Sequence, residues 1–341
     1  MNIRKKVSIT LMVALVVLFV GFPVLAQEEG IEFFKGKTIN FITPHSVGGG
    51  YDAYSRAFTS YLGKYIPGTT IVVRNISGAG GIIGRNKIYE APADGLTIGL
   101  ETGSGSIFTQ LVGASGVKYD ITKMTILGRV SIDLGTLAVK SDLPFYSVSD
   151  LQKTEKPLKI AVGGVGSDDY YTARLIGEEL GIDVKIIPGY KGAREVGLAA
   201  VRGETDAAHT EVTTIMPLIK SGDLRPLWLI ALERSSYAPG VPTSVELAKK
   251  ADKEGASLII ATTKIWGTGR MIIGPPGIPE ERVKILREAS YKAMNDPGFL
   301  DWGKRAERPI DPLTGEELEK LIKESMALGN KLTPIFKSYL K

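Results

Sequence analysis

The 341-residue chain has no cysteine, which excludes disulfides, thiolate metal sites and cysteine nucleophiles together. It has only two histidines, His45 and His209, so a catalytic triad or a histidine metal cluster has few candidates. Neither a Gly-x-Ser-x-Gly elbow nor a Gly-x-x-x-x-Gly-Lys-Ser/Thr phosphate loop occurs, which removes the commonest hydrolase and nucleotide signatures. No repeat or low-complexity segment suggests a structural or adhesion protein. Beyond residue 26 no apolar run approaches the roughly 20 residues of a membrane span. In that same stretch Lys and Arg are scattered among Asp and Glu, with no basic tract of the kind that binds nucleic acid.

What is present is a long, half-apolar chain. An apolar fraction of 43% fills real cores, and the length suits about two domains at roughly 150 residues each. Residues 1–26 read as a secretory signal peptide: Arg4, Lys5 and Lys6 precede an apolar run from Val7 to Val20, and Val24-Leu25-Ala26 offers a cleavage site. The run is somewhat short for an uncleaved anchor. Removing three basic and no acidic residues lowers the formal charge from +5 to +2. The mature protein is thus expected to be soluble, nearly neutral and located in the periplasm or another extracytoplasmic space.

The stretch from Thr38 to Glu101 organises the rest. Two apolar runs, Ile39–Thr43 and Thr70–Val73, each end in a glycine cluster, Gly48-Gly49-Gly50 and Gly78-Ala79-Gly80-Gly81, followed by residues able to start a helix. A third run, Leu96–Leu100, leads into Thr102-Gly103-Ser104-Gly105-Ser106, which reads as a small-residue loop. Strands alternating with helices predict a parallel sheet, with ligands beyond the carboxyl ends of the strands. The theme recurs at Leu158–Val162, Gly163-Gly164-Val165-Gly166-Ser167 and a helix from Tyr170. Trp266–Ile273 reads as another strand-like run, before helices that return the chain to its first half. This predicts an α/β fold of two lobes, 27–130 with 240–341 and 131–239, joined by a hinge of two crossing segments.

Several motifs, in order and spacing, resemble the substrate-binding receptors of tripartite tricarboxylate transporters, the Bug-type proteins. They are Pro44-His45-Ser46-Val47-Gly48-Gly49-Gly50-Tyr51-Asp52, Asn75-Ile76-Ser77-Gly78-Ala79-Gly80-Gly81-Ile82-Ile83-Gly84 and Ala91-Pro92-Ala93-Asp94-Gly95. The match continues through Gly164-Val165-Gly166-Ser167, Tyr190-Lys191-Gly192, Gly240-Val241-Pro242-Thr243 with Glu246, and Pro275-Pro276-Gly277-Ile278-Pro279. The resemblance implies a type II-like, Venus-flytrap periplasmic binding protein, not an enzyme and without cofactor or metal. Such a protein closes on a small carboxylate (di- or tricarboxylate, amino acid or aromatic acid) and delivers it to membrane permease subunits; a monomer suits that mechanism. It further implies that Ser46–Asp52 hold one carboxylate largely through backbone N–H groups and ordered water, while Gly164–Tyr170 hold the far end; stacked N–H donors at a helix start satisfy an anion without needing a buried lysine or arginine.

The candidate site residues are accordingly His45, Ser46, Val47, Gly48, Gly49, Tyr51, Asp52, Thr102, Gly166, Ser167, Asp168, Tyr170, Tyr190 and Glu211. Asp168 and Asp169 depart from the family pattern, since carboxylates beside an anionic ligand repel it. Either they cap the following helix or face solvent, or one of them, with Glu211, pairs with an ammonium on the ligand. Tyr51, Tyr170 and Tyr190 are the tyrosines best placed to stack on an aromatic acid. A rival reading is a dinucleotide-dependent oxidoreductase using Gly78–Gly84, with Glu101 as the acidic ribose partner. The helix between them is short for that fold, and an exported protein has little access to such a cofactor.

Overall fold

The computed structural model describes residues 30–236 and 238–340; the segment read as a signal peptide lies outside them. Strands β1 (Thr38–Thr43), β2 (Thr70–Asn75), β3 (Thr97–Thr102) and β4 (Thr125–Ser131) form one sheet together with β10 (Arg270–Gly274) and β11 (Leu313–Thr314). Their spatial order is β11-β4-β10-β3-β1-β2. Strands β5 (Gly135–Lys140), β6 (Leu158–Ala161), β7 (Val184–Ile187), β8 (Ala207–Glu211) and β9 (Leu224–Ile230) form a second sheet, in the order β7-β6-β8-β5-β9. The result is the expected two-lobe α/β architecture, with the whole second sheet inserted between β4 and β10.

Within each sheet the glycine-turn strands run parallel: β1 with β2 and β3, and β6 with β7 and β8. Returning strands break the pattern in each, and in the first sheet the short β11 also pairs antiparallel with β4. β10 lies antiparallel between β3 and β4, and β5 lies antiparallel between β8 and β9. A strand running backwards begins where its neighbours finish, and Arg270, the first residue of β10, is therefore opposite Thr102, the last residue of β3. This register places a charged side chain at the edge of the sheet where the parallel strands end.

The first helix, Gly50–Tyr65, shows why the glycine turns point at that edge. Tyr54, Phe58 and Leu62 recur at helical spacing and are fully buried. Phe58 packs against Phe41 of β1 at 5.9 Å between ring centroids. Each such side chain contributes about 1.5–3 kcal/mol of burial, which pins the helix to the sheet and leaves its amino end at the tip of β1.

Two sequence expectations are corrected. Thr102–Ser106 is not a loop: Thr102 caps the helix Gly103–Val112 by accepting from the Gly105 N–H. Small residues serve close packing here, since a Cβ on Gly103 would stand 2.0 Å from Thr268 Oγ1. Trp266–Ile273 is not one strand either. Trp266 ends the helix Lys253–Trp266, and β10 starts only at Arg270. That helix packs against both Asp168–Glu179 and Gly315–Ser338. Phe108 then joins the helix Gly103–Val112 to Tyr171 and Phe336 of those two helices, with Tyr171 stacked on Phe336 at 4.7 Å, so an apolar core runs behind the cleft from one sheet to the other.

Candidate functional site

A cavity of about 520 Å³ opens between the lobes. Its walls are the segments after β1, β2 and β3 on one side and after β6, β7 and β8 on the other. These are the carboxyl ends of the parallel strands, where such sheets bind ligands.

The loop after β1 is built around a helix start. Gly48 adopts φ 78°, and its N–H donates to Asp52 Oδ2 at 2.9 Å, which tightens the turn. Gly49 at the helix N-cap has no side-chain cap, and the first N–H groups of a helix have no intrahelical acceptor. His45 stacks on Tyr51 at 3.9 Å. A Cβ on Gly50 would lie 3.2 Å from Thr214 Oγ1, 3.5 Å from Arg308 Nη1 and 3.8 Å from Arg270 Nη2. Two guanidinium groups therefore flank a helix amino terminus, and both favour an anion there.

Arg270 is fully buried and links three parts of the chain. Its Nη1 pairs with Asp133 in the first crossing segment at 2.7 Å, and its Nη2 pairs with Glu211 at the end of β8 at 3.1 Å. The guanidinium lies 4.4 Å from the Tyr54 ring and 5.0 Å from that of Tyr51. Burial pushes the Asp133 carboxyl up to about 6 against the opposing pull of Arg270. Burial also opposes ionisation of Glu211, but Arg270 and the bonds from Thr213 and Thr214 outweigh it and leave that carboxyl below its usual range.

A second buried guanidinium, Arg85, sits under the glycine turn. Its Nε pairs with Glu101 at 3.3 Å, and it donates to the Gly105 carbonyl, Thr109 and Tyr119. Glu101 also lies 3.3 Å from His45 Nε2. Burial raises the Glu101 carboxyl, while Arg85 and then His45 bring it below the normal value. Across the cleft, Asp168 Oδ2 accepts from Ser104 Oγ at 2.6 Å and Thr102 Oγ1 at 3.2 Å, a direct bridge between the lobes. Lys220 and Glu307 form an exposed bridge as well.

The profile of the tripartite tricarboxylate transporter family receptor (TctC) matches residues 59–336. The chain belongs to this receptor family. Among curated relatives, Protein BugT of Bordetella pertussis is 26% identical over 245 residues, covering 70% of this chain and 74% of its own. Among solved structures, the periplasmic binding protein BugD superposes with a TM-score of 0.72 at 22% identity, over 88% of this chain and 97% of that one. MatC from Rhodopseudomonas palustris with bound malate gives 0.70 at 21% identity, over 87% and 99% respectively. The dinucleotide alternative finds no support: Glu101, its supposed ribose partner, is 0% exposed and engaged by Arg85 and His45.

Of the receptor's sequence-predicted residues, His45, Ser46, Gly49, Tyr51, Thr102, Gly166, Ser167, Asp168, Tyr190 and Glu211 line the cavity. Four do not, and each has a physical reason. Val47 is 72% exposed at the loop tip, and Gly48 is spent on the turn to Asp52. Asp52 is turned back onto Arg56 at 2.9 Å. Tyr170 donates its hydroxyl to the Tyr339 carbonyl at 2.8 Å, facing the carboxyl-terminal helix. Capping is also reassigned, since Ser167 rather than Asp168 caps the helix Asp168–Glu179, and Glu211 caps Val212–Lys220. Two buried arginines that sequence reasoning did not select, Arg85 and Arg270, also line the cavity. Each was visible only as a lone arginine in a small or apolar stretch, a residue type seldom fully buried unless paired.

His209, behind the cavity wall, is 0% exposed, and burial drives its imidazole down to about 3. Its folded value lies below the unfolded 6.5, so its contribution to stability is complete above pH 6.5 and is lost as pH falls toward 3. Between pH 7 and 4.5 the gap in unfolding free energy between the wild type and His209→Gln should narrow by about 1.4 kcal/mol per unit below pH 6.5. Urea titrations at each pH measure it, and parallel curves would show that the imidazole stays free to protonate. Asp133 and Asp169, raised in the fold, work in the opposite sense and are common to both proteins.

Proposed function

We propose that this receptor captures a small carboxylate in the cleft outside the cytoplasm and passes it to the permease subunits of a tripartite transporter, with no chemistry of its own. One lobe comprises residues 27–130 and 240–341 and the other 131–239; the protein acts as a monomer. The observation that carries the reading is the uncapped helix start at Gly49–Gly50 with Arg270 and Arg308 beside it. Backbone donors and a fixed guanidinium hold a carboxylate without reorganisation. Malate in MatC and adipate in another Rhodopseudomonas palustris structure are ligands of this fold, which supports the same chemical class here. Ligand at 100 times its dissociation constant adds about 2.7 kcal/mol to stability. Thermal unfolding of the mature protein against di- and tricarboxylates, amino acids, aromatic acids and NAD should show a shift with a carboxylate; a shift with NAD alone would refute the reading.

A further inference from the structure

The carboxyls that line the cavity outnumber the arginines that line it. Asp133, Asp168, Asp169 and Glu211 line it, with Arg85 and Arg270 as the buried cations. Arg85 is matched by Glu101 behind it, and Arg270 by Asp133 and Glu211. Asp168 receives the Ser104 and Thr102 hydroxyls on one oxygen and the Asp169 N–H on the other. Asp169 alone has neither a cation nor a hydroxyl. Its one partner among the described residues is His209 Nδ1, 3.5 Å away.

His209 is an independent sign of the same incompleteness. The ring is wholly buried, packs edge-on to Trp266 at 6.3 Å, and makes no hydrogen bond at either nitrogen. A buried polar group without a partner is costly and uncommon, and this one is directed at the acid that faces the cavity. On the other side Arg270 Nε is also without a hydrogen bond. The site thus has an anion-seeking pole at Gly49–Gly50 and Arg270, and a cation-seeking pole at Asp169.

We propose that the ligand carries a protonated amine as well as a carboxylate, and that Asp169, backed by His209, receives the amine. The proposal rests on the carboxylate-receptor reading and narrows it from carboxylates in general to amino acids and related zwitterions. Burial and the neighbouring Asp168, Asp133 and Glu211 raise the Asp169 carboxyl well above its usual value in the empty site; an ammonium at contact distance restores its charge. Lys191, exposed on the cavity wall, is a cation of this chain that also has to be tested.

The test is calorimetric titration of the mature protein with matched pairs: succinate and aspartate, glutarate and glutamate, adipate and 2-aminoadipate. The amine-bearing member should bind at least about tenfold more tightly, as expected for one charge-assisted hydrogen bond. Asp169→Asn should abolish that preference while unfolding no earlier than the wild type, because asparagine removes a buried carboxyl that faces three others. Asp168→Asn should weaken both members alike, and Lys191→Met should leave the preference intact. Equal or tighter binding of the amine-free member would overturn the amine assignment and leave the carboxylate reading standing. Binding of propylamine with no carboxylate at all would overturn the carboxylate reading instead.

Discussion

Arg270→Met should destabilise the protein by about 3–5 kcal/mol at pH 7.5, since removing one member of a buried ionic cluster leaves the others uncompensated. Methionine roughly preserves volume, so the loss reports charge rather than a cavity. The orphaned groups are Asp133, 3% exposed and bonded to the Tyr51 hydroxyl, and Glu211, held by Thr213 and Thr214. Without the guanidinium Asp133 rises further in the folded state, and Glu211 loses the main influence that holds it low. A carboxyl raised above its unfolded value lends stability that is complete at low pH and lost as pH rises, so the variant should lose less at pH 5 than at pH 7.5. Urea unfolding at the two pH values measures both effects. A cost below about 1 kcal/mol, or one independent of pH, would show that the cluster is not held by charge. Ligand affinity should fall as well, because Arg270 joins β10 to the first crossing segment and to the second sheet.

The second large effect concerns Arg85 and Glu101. Arg85→Met should cost about 3 kcal/mol or more, because Glu101 is then a buried carboxylate left with only His45 and the Thr102 N–H. Glu101→Gln alone leaves an unmatched guanidinium, which still keeps its bonds to Gly105, Thr109 and Tyr119. The double variant Arg85→Met/Glu101→Gln should be more stable than the two single losses predict, by roughly 1–3 kcal/mol of coupling. Denaturant titration of all four proteins closes the cycle. Strict additivity would mean that the pair, at 3.3 Å, contributes no mutual energy.

Both predictions concern residues that sequence reasoning passed over, and the reason is specific. The glycine turns, the strand runs and the order of the lobes are local signals, each written in about ten consecutive residues. Arg270 carries no such signal; it opens an apolar strand whose neighbours, β3 and β4, lie more than a hundred residues away in sequence. Its place at the site follows from the antiparallel insertion of β10, which sets Arg270 opposite Thr102 and Ser131. Asp133 is equally silent in sequence, a single acid in a short connection. Tyr170 shows the opposite error. Its position after the second-lobe glycine loop pointed to the cavity, but helical rotation turned it toward Tyr339.

By itself the sequence determined the family, the two α/β lobes and the glycine-bounded strand ends that line the cleft. Periodicity and turn chemistry act over a few residues and therefore survive in a linear reading. The tertiary structure alone decided which charges meet in the cleft. Ion pairing in a buried site is set by separations of a few ångströms between residues distant in sequence, and its strength depends on the water excluded around them. Asp133, Glu211 and Arg270 come together only when both sheets have formed and the chain has crossed between them twice.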